Sequence, residues 1–533
     1  MSGISDRSLK LGIEKVTIAR EHQTMKKVVV GVGPVSVQDV VSVARHGAPV
    51  ELDSSALEQV AASRRLIDGL ASDPEPHYGI STGFGALANT FIEGDRRAQL
   101  QASLVRSHAA GSGPEVEREV TRALMLLRLS TLMTGRTGVK GETAQTYAAL
   151  LNAGITPVVR EYGSLGCSGD LAPLSHVALA CLGEGEVRDA SGILMPASDA
   201  LRAAGIVPLK LGEKEGLALI NGTDGMLGML SLALHDIAIL LKTVDLAAAL
   251  SVEGLLGTAK VFAADLQALR PQAGQALAAQ NMRDLLTGSP IVASHQGPGC
   301  TRVQDAYSLR CAPIVNGAAR DTVTHAFNVA QAELASAVDN PVVTVDGRVE
   351  SNGNFHGAPV AYVLDFLAIA VADVASMSER RIDRFLDKSR NNGLPPFLAH
   401  EVGVDSGLMI AQYTAAGIVS ELKRLAFPAS VDSIPSSAMQ EDHVSMGWAA
   451  GRKLRKAIDG LQRVIAIELL TSARGIALRA PLHAGPNTKP VVDRLRAAGA
   501  EPGPDRFMSP DIESIVALVA TGDLLQATPI SLI

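Results

Sequence analysis

Apolar residues recur every three or four positions along most of this chain, which is the period of α-helices that pack against a core. The pattern predicts helices over residues 35–46, 51–70, 97–104, 115–133, 142–152 and 175–182. Four later segments are apolar on most of their helical faces, and they predict long buried helices over residues 226–256, 362–380, 408–426 and 448–478. Helices of this kind need neighbours on most sides, so the pattern indicates an elongated bundle.

We therefore predict a mainly α fold, in which an elongated bundle of long central helices adjoins a smaller mixed N-terminal region. The predicted division is a loose extension over residues 1–25, an N-terminal domain over 26–225, and a central bundle with a C-terminal helical region over 226–533. Residues 26–34 form a β-branched run that ends in glycines, which predicts a short hairpin. Residues 1–25 carry mixed charge without the apolar stretch of a secretory signal.

Composition changes this picture little, but it excludes several classes of protein. Hydrophobic residues make up 47% of the 533 residues and aromatic residues only 3%, which favours Ala, Leu and Val packed in helices. A net charge of -7 gives no reason to expect nucleic acid or an anionic membrane as a partner. Residues 226–256 are long enough to span a membrane, but charged residues interrupt them, so a buried core helix is predicted instead.

Neither the cysteines nor the glycine-rich segments indicate a metal or nucleotide site. The four cysteines, at positions 167, 181, 300 and 311, fit neither a disulfide framework nor paired metal-ligand spacing. They favour a reducing compartment, and we expect the cytoplasm. The loop at residues 78–85 lacks the Gly-Lys-Ser/Thr of a phosphate loop. We interpret it as a mobile segment that holds one functional side chain, Tyr78.

The turn Gly163-Ser-Leu-Gly-Cys-Ser-Gly-Asp-Leu-Ala-Pro-Leu174 carries the most distinctive candidate chemistry. If the nitrogen of Gly169 attacks the carbonyl carbon of Cys167 and two waters are lost, a five-membered ring forms and Ser168 becomes a dehydroalanine. The product is an electrophile, which no unmodified side chain can supply. A Ser-Gly pair is also an ordinary turn, so this interpretation depends on the rest of the chain. No Gly-Xaa-Ser-Xaa-Gly elbow surrounds Ser168, which argues against a serine hydrolase.

Polar clusters lie between the apolar helices, where exposed charge would have no reason to accumulate. Gln304, Tyr307 and Arg310 are three residues apart, so they share one face if the segment is helical. Asn221 ends a buried apolar run just before a glycine, and Phe355 lies in a polar, glycine-punctuated segment. Residues 436–447 are acidic but lack the ligand spacing of a calcium loop.

Taken together, these segments resemble the aromatic amino acid ammonia-lyase family, whose members carry a methylidene-imidazolone prosthetic group. The resemblance covers nearly the whole chain after about residue 26, and its motifs occur in the family's order: YGISTGFG, GSLGCSGDLAPL, LINGT, QDAYSLRC, VDNP, NGNFHG and QEDHVSMG. It implies that no external cofactor is needed, because 4-methylidene-imidazol-5-one forms from Cys167, Ser168 and Gly169 in a loop of the N-terminal region. Cys167 would give only its backbone carbonyl, and Ser168 would become 2,3-didehydroalanine.

Within the family, the chain is most similar to the members that act on L-histidine. Ser107 and His108 occupy the position where phenylalanine and tyrosine enzymes have Phe-Leu and His-Leu, and the QEDH segment suits an imidazole. The resemblance therefore implies elimination of ammonia from L-histidine to give trans-urocanate. The chain departs from the family pattern at Ile314, where glutamine is usual, and at Asp224, where glutamine or serine is more common.

The resemblance also implies roles for the residues that react. Tyr78 would remove the β-proton, with its pKa depressed by a cationic or dipolar site. Tyr307 would support proton handling at the amine. Arg310 would clamp the substrate carboxylate with its planar fork of donors.

The remaining candidate residues would bind the substrate or the prosthetic ring. Asn221 and Gln304 would hydrogen-bond the ring or the carboxylate. His108 and Glu441 would contact the imidazole, with Glu441 accepting from an imidazole N–H. Phe355 would wall the pocket.

By resemblance, we expect a homotetramer whose active sites are shared between subunits. Three alternatives remain open at the sequence level. The first is an aromatic amino acid 2,3-aminomutase on the same scaffold, and the second is a phenylalanine or tyrosine ammonia-lyase. The third is an inactive helical scaffold, which only Ile314 suggests.

Overall fold

The computed structural model describes residues 26–87, 89–297 and 303–533. The predicted extension over residues 1–25 lies outside the described residues. The first part of the chain mixes short strands with helices, in the order β1 (Val28–Val30), α1 (Val37–Ala44), β2 (Val50–Leu52), α2 (Ser54–Ala71), α3 (Arg97–His108), β3 (Ser112–Glu115), α4 (Arg118–Met133), α5 (Gly141–Asn152), β4 (Thr156–Pro157), β5 (Arg160–Tyr162), α6 (Leu171–Cys181), β6 (Glu186–Arg188), β7 (Leu194–Pro196), α7 (Ala197–Ala203) and α8 (Glu215–Ile220).

From Asp224 onwards the described chain is almost entirely helical. The elements are α9 (Asp224–Gly254), α10 (Ala264–Ala268), α11 (Ala273–Leu286), α12 (Pro290–Ala293), α13 (Tyr307–Arg310), α14 (Ala312–Leu334), β8 (Val342–Val343), β9 (Val349–Glu350), α15 (Ala358–Leu386), α16 (Met409–Leu425), α17 (Gly447–Ala477), α18 (Lys489–Leu495), α19 (Ser509–Thr521) and α20 (Asp523–Ala527). The predicted mainly α class is confirmed, with a mixed N-terminal region before the long helices.

The predicted hairpin at residues 26–34 is wrong. β1 pairs in parallel with β2, with Val28 opposite Val50, and α1 connects the two strands. A parallel pair needs such a crossover, whereas a hairpin requires antiparallel strands joined by a tight turn. The side chain of Ser36 caps α1 by accepting from the Asp39 N–H, so the chain passes from β1 into the helix predicted over residues 35–46 without a return strand.

The long central helices α9, α15 and α17 pack against one another and form the middle of the hydrophobic core. Their predicted counterparts over residues 226–256, 362–380 and 448–478 are confirmed within a few residues at each end. One cluster of buried apolar side chains runs from Val28 to Leu532. The division of the chain near residue 225 stays a prediction.

Two of these helices, α9 and α15, are long and apolar enough to cross a membrane by length and composition alone. Most of their apolar windows lie inside the protein, 83% for α9 and 61% for α15. The core helix of a soluble protein passes the same test, and such burial is what a core helix requires. The packing therefore agrees with the predicted core helix at residues 226–256.

Three loops are brought together near the start of α9. The turn that precedes α6 pairs with the turn that precedes α9 through a single parallel bridge between Gly169 and Gly222. The segment before α17 joins them, because the Met446 N–H donates to the Leu165 carbonyl at 2.9 Å. The Ser445 hydroxyl also donates to the Gly166 carbonyl at 2.9 Å. This meeting point is where the candidate site forms.

Candidate active site

The turn that holds Ser168 is compressed against the turn that precedes α9. Gly169 has a φ of +75°, and a Cβ atom there would overlap the carbonyl oxygen of Gly222. The Asp170 N–H donates to the same carbonyl oxygen at 2.7 Å. Only glycine fits this combination of a left-handed backbone and close approach. The backbone at Cys167, Ser168 and Gly169 is therefore bent and held in place by these contacts.

The buried carboxylate of Asp170 holds the C-terminal end of the turn in place. Its carboxylate accepts from the Ser164 hydroxyl and from the Met226 N–H, both at 2.9 Å. Burial raises the pKa of Asp170 to about 7, although these two donors oppose the shift. The carboxyl thus connects the turn to the first residues of α9.

Glu441 lies directly beside Ser168 in the turn. The Ser168 hydroxyl donates to Oε1 of Glu441 at 3.5 Å, and the Ser436 hydroxyl donates to Oε2 at 2.7 Å. Burial and the negative charge of Glu441 raise the pKa of the Cys167 thiol to about 12. A thiol with such a pKa is a poor nucleophile at neutral pH. The environment is consistent with a Cys167 that contributes only backbone.

The surroundings of Ser168 fit a methylidene-imidazolone formed from this turn. Asn221 is buried, and its Oδ1 atom has no hydrogen-bond partner within the described ranges. The Asn221 carbonyl is held from behind, because Nη1 of the fully buried Arg128 donates to it at 2.8 Å. A buried, unpaired amide oxygen next to Gly222 leaves a polar atom available for the prosthetic group or the substrate.

A cavity of about 580 Å³ opens above this turn. It brings together five of the predicted site residues, which are Tyr78, Cys167, Ser168, Phe355 and Glu441. Its other lining residues are Pro76, Thr82, Gly85, Asn89, Asn340, Ser351, His356, Gln440, Asp442 and His443.

Tyr78 reaches the cavity from the glycine-rich loop, where its phenolic oxygen accepts from the Gly85 N–H at 3.3 Å. The expected depression of its pKa is wrong for the isolated chain. Burial raises the pKa of Tyr78, and the negative charge of Glu441 raises it further. The hydrogen bond from the Gly85 N–H lowers this pKa, but it offsets only part of the increase. Arg310, the predicted clamp for the substrate carboxylate, does not line this cavity.

His108 ends α3 and does not line the cavity, but it lies close enough to Glu441 to sense its charge. Burial lowers the pKa of His108, so the neutral ring is favoured. Its Nδ1 atom lies 3.0 Å from the Leu104 carbonyl, which can only accept a hydrogen bond, and 3.0 Å from the Ser107 hydroxyl, which donates its own proton to the same carbonyl. Nδ1 therefore carries the proton, and Nε2 is left as an acceptor.

Three predicted site residues do not line the cavity: Gln304, Tyr307 and Arg310. Gln304 precedes α13, which is only four residues long, so the predicted shared helical face is wrong for Gln304. Tyr307 is 70% exposed, and the Arg310 guanidinium lies 4.7 Å from its ring centre. Nε of Arg310 is buried and has no hydrogen-bond partner among the residues that the structure describes.

Two histidines that line the cavity, His356 and His443, were not predicted from the sequence. His356 Nε2 and His443 Nδ1 lie 3.2 Å apart, and the two ring planes are inclined by 24° with centroids 5.3 Å apart. Both residues belong to motifs that had been singled out, NGNFHG and QEDHVSMG. Their presence in those motifs was the available signal, but nothing in the sequence related one histidine to the other.

Known proteins resemble this chain over almost its full length. The family model described as "Aromatic amino acid lyase" matches residues 35–497. The histidine ammonia-lyase of Streptomyces griseus is 63% identical over 506 residues, which are 94% of this chain and 98% of that protein. The histidine ammonia-lyase of Gloeobacter violaceus is 48% identical over 493 residues, which are 92% of this chain and 95% of that protein.

Solved structures agree with this relationship. The histidine ammonia-lyase of Trypanosoma cruzi superposes with a TM-score of 0.87 at 37% identity, covering 94% of this chain and 95% of that one. The tyrosine aminomutase of Streptomyces globisporus superposes with a TM-score of 0.90 at 35% identity, covering 95% of this chain and 100% of that one. This chain belongs to the aromatic amino acid lyase family.

Proposed function

We propose that this protein is a histidine ammonia-lyase, which eliminates ammonia from L-histidine to give trans-urocanate, the first step of histidine degradation. The observation that carries the proposal is the 63% identity to the Streptomyces griseus histidine ammonia-lyase over 94% of this chain. The cavity supports it, because Glu441 offers a carboxylate to an imidazole N–H immediately beside Ser168.

The turn from Cys167 to Gly169 fits a methylidene-imidazolone, which would supply the electrophilic carbon that no ordinary side chain offers. Formation of this group consumes the Ser168 hydroxyl, which is the donor to Glu441 Oε1. Glu441 Oε1 is then free to accept from the substrate. The unpaired Asn221 Oδ1 would bind the prosthetic ring or the substrate carboxylate.

Proton transfer from the substrate β-carbon is the task that we assign to Tyr78. The raised pKa of Tyr78 in the isolated chain means that a positive charge must approach it before it can act as a base near neutral pH. Arg310 has a guanidinium with an unpaired, buried Nε atom, and it is the candidate for that charge. Arg310 would also bind the substrate carboxylate, and Tyr307 would handle the amine proton.

We further propose a homotetramer in which Gln304, Tyr307 and Arg310 of one subunit complete the cavity of another. Two observations support this arrangement. These three residues lie outside the cavity of their own chain, and Tyr307 is largely exposed. In addition, α15 and α16 expose large apolar side chains, as at an unpaired interface: Tyr362, Phe366, Ile369, Ile410 and Tyr413.

We place this enzyme in the cytoplasm. Cys167, Cys181 and Cys311 are free thiols, as is usual in a reducing compartment.

Incubation of the purified protein with L-histidine tests the proposed function. We expect urocanate to accumulate, as followed by its ultraviolet absorbance, and the peptide that contains Cys167 to Gly169 to weigh two waters less than its sequence requires. Ser168→Ala should remove both signals while its circular dichroism stays helical, because the reactive carbon comes from that serine. Turnover of phenylalanine or tyrosine without urocanate formation would contradict the substrate assignment.

An aromatic amino acid 2,3-aminomutase is the second candidate, because the tyrosine aminomutase of Streptomyces globisporus shares this fold at a TM-score of 0.90. Chromatography of the reaction mixture separates the two functions. A β-amino acid product would favour the aminomutase, whereas urocanate and ammonia in equal amounts would exclude it.

A further inference from the structure

A chain of hydrogen bonds fixes the positions of the ring protons on the two cavity histidines, His356 and His443. The Ala358 N–H donates to Nδ1 of His356 at 3.4 Å, so Nδ1 is an acceptor and Nε2 of a neutral His356 carries the proton. That Nε2–H donates to Nδ1 of His443 at 3.2 Å. The remaining nitrogen of a neutral His443, Nε2, therefore carries a proton, and it has no partner within the described part of the chain.

The neutral imidazole ring of the substrate needs one acceptor and one donor, because one of its nitrogens carries a proton and the other does not. Glu441 supplies an acceptor through Oε1. His108 cannot supply the donor in its neutral form, since its Nδ1–H is directed to the Leu104 carbonyl and its Nε2 is also an acceptor. His108 and Glu441, the two residues predicted to contact the imidazole, can therefore accept only from its N–H.

We propose that His443, oriented by His356, donates its Nε2–H to the unprotonated ring nitrogen of the substrate and so determines specificity for imidazole. This inference rests on the proposed function. His443 lies two residues from Glu441 and lines the same cavity, so one segment of chain presents both the donor and the acceptor.

Other polar side chains line the cavity, but they discriminate less well. Ser351 has a hydroxyl that can rotate, and Asn89 and Gln440 have amides that can turn to present either a donor or an acceptor. The His443 ring presents a donor alone, because His356 occupies its other nitrogen. A fixed donor favours a ring nitrogen over the C–H edge of a phenyl ring. His356 is a positioning residue in this scheme.

A pair of near-isosteric variants tests the donor. His443→Gln keeps an N–H donor at the position of Nε2, whereas His443→Glu replaces it with an acceptor. We expect the KM for L-histidine to stay within about threefold of wild type in His443→Gln and to rise at least about tenfold in His443→Glu, with kcat changed less. His46→Glu, at an exposed histidine that does not line the cavity, is the matched control and should leave KM unchanged.

The positioning role of His356 has a separate test. His356→Gln can still donate to Nδ1 of His443, but His356→Leu cannot. We expect His356→Leu to raise KM and His356→Gln to restore it towards the wild-type value.

Two measurements do not depend on turnover. Nitrogen-15 NMR of histidine-labelled protein at about pH 8, where imidazoles are mostly neutral, should place the His443 proton on Nε2. Calorimetric binding of trans-urocanate to Ser168→Ala should weaken at least about tenfold when His443→Glu is added.

The possible failures are distinguishable. A wild-type protein that forms no urocanate from L-histidine contradicts the proposed function. A wild type that forms urocanate, together with equal KM values for His443→Gln and His443→Glu, contradicts only the role of His443. A His443 proton on Nδ1 would also overturn that role.

Discussion

The turn at Gly169 can form only because glycine carries a hydrogen atom where other residues carry a side chain. Its left-handed φ and its contact with the Gly222 carbonyl leave no room for a methyl group. The neighbouring Asp170 N–H bonds to that same carbonyl, so the turn cannot move away without losing a buried hydrogen bond. Formation of the proposed prosthetic group would thus depend on a residue whose own side chain takes no part in the chemistry.

Gly169→Ala should therefore block ring formation. We expect mass spectrometry to show no loss of two waters from the peptide that contains Cys167 to Gly169, and no urocanate from L-histidine. Gly33→Ala is the matched control, because a Cβ at Gly33 meets nothing within 4 Å. That control should keep the modified mass. A modified peptide in Gly169→Ala would show that the contact with Gly222 does not constrain the ring.

Several residues of the candidate site could be predicted one at a time from motifs. Tyr78, Ser168, Phe355 and Glu441 meet in one cavity as the resemblance implied. The His356–His443 pair could not be predicted, because its members are 87 residues apart and no periodicity relates them. The raised pKa of Tyr78 in the isolated chain could not be predicted either, since burial and the charge of Glu441 depend on tertiary structure.

At the scale of elements, a buried ion pair joins the three central helices. Arg381 of α15 donates to Glu468 of α17 through Nε at 2.5 Å and Nη2 at 2.8 Å. Ser251 of α9 and Ser378 of α15 also donate to this carboxylate, at 2.6 Å and 2.5 Å. Both charged side chains are fully buried. A carboxylate left without its cation at this depth is strongly unfavourable.

Arg381→Met should destabilise the protein by about 3–5 kcal/mol, because it leaves the Glu468 carboxylate buried without its cation. Chemical denaturation followed by circular dichroism measures the loss. Adding Glu468→Leu should recover part of that stability, since the double variant has no buried charge left at this site. Arg348→Met, in an exposed pair with Asp346, should change stability by less than about 1 kcal/mol. Equal losses at the two sites would contradict the importance of burial.

The apolar pattern predicted the long helices well, because their burial on most faces is encoded locally. The helix α14 was missed, since its apolar positions are interrupted by charged and polar residues. The parallel pairing of β1 with β2 was also missed, because the partner strand lies beyond α1 and nothing in the sequence of β1 specifies it. Local periodicity thus determined the helices, whereas strand pairing depended on contacts distant in sequence.

At the scale of the whole molecule, the single chain separates residues that the proposed reaction needs together. Tyr78 and Glu441 line the cavity, whereas Tyr307 and Arg310 do not. The proposed tetramer resolves this separation by placing residues of different subunits around one cavity.

Mixing two inactive variants tests this sharing. Tyr78→Phe and Arg310→Met should each lose turnover, and light scattering should give the mass of four chains for both. If the two residues of one site come from different subunits, tetramers assembled at random from both variants should regain up to about one quarter of wild-type activity. Unfolded and reassembled samples of each variant alone are the controls. Mixed tetramers without activity would place both residues on the same subunit.

The contact between Gly169 and Gly222 also has a consequence for how this enzyme could acquire new substrates. The backbone at Gly169, next to Ser168, is pressed against the backbone of Gly222, where an added side chain has no space. The cavity also has lining side chains from other loops, including those of His356 and His443. Mutational drift and laboratory libraries alike can change those side chains while the proposed electrophile keeps forming at the constrained turn. Substrate range is therefore evolvable in this architecture independently of the prosthetic chemistry.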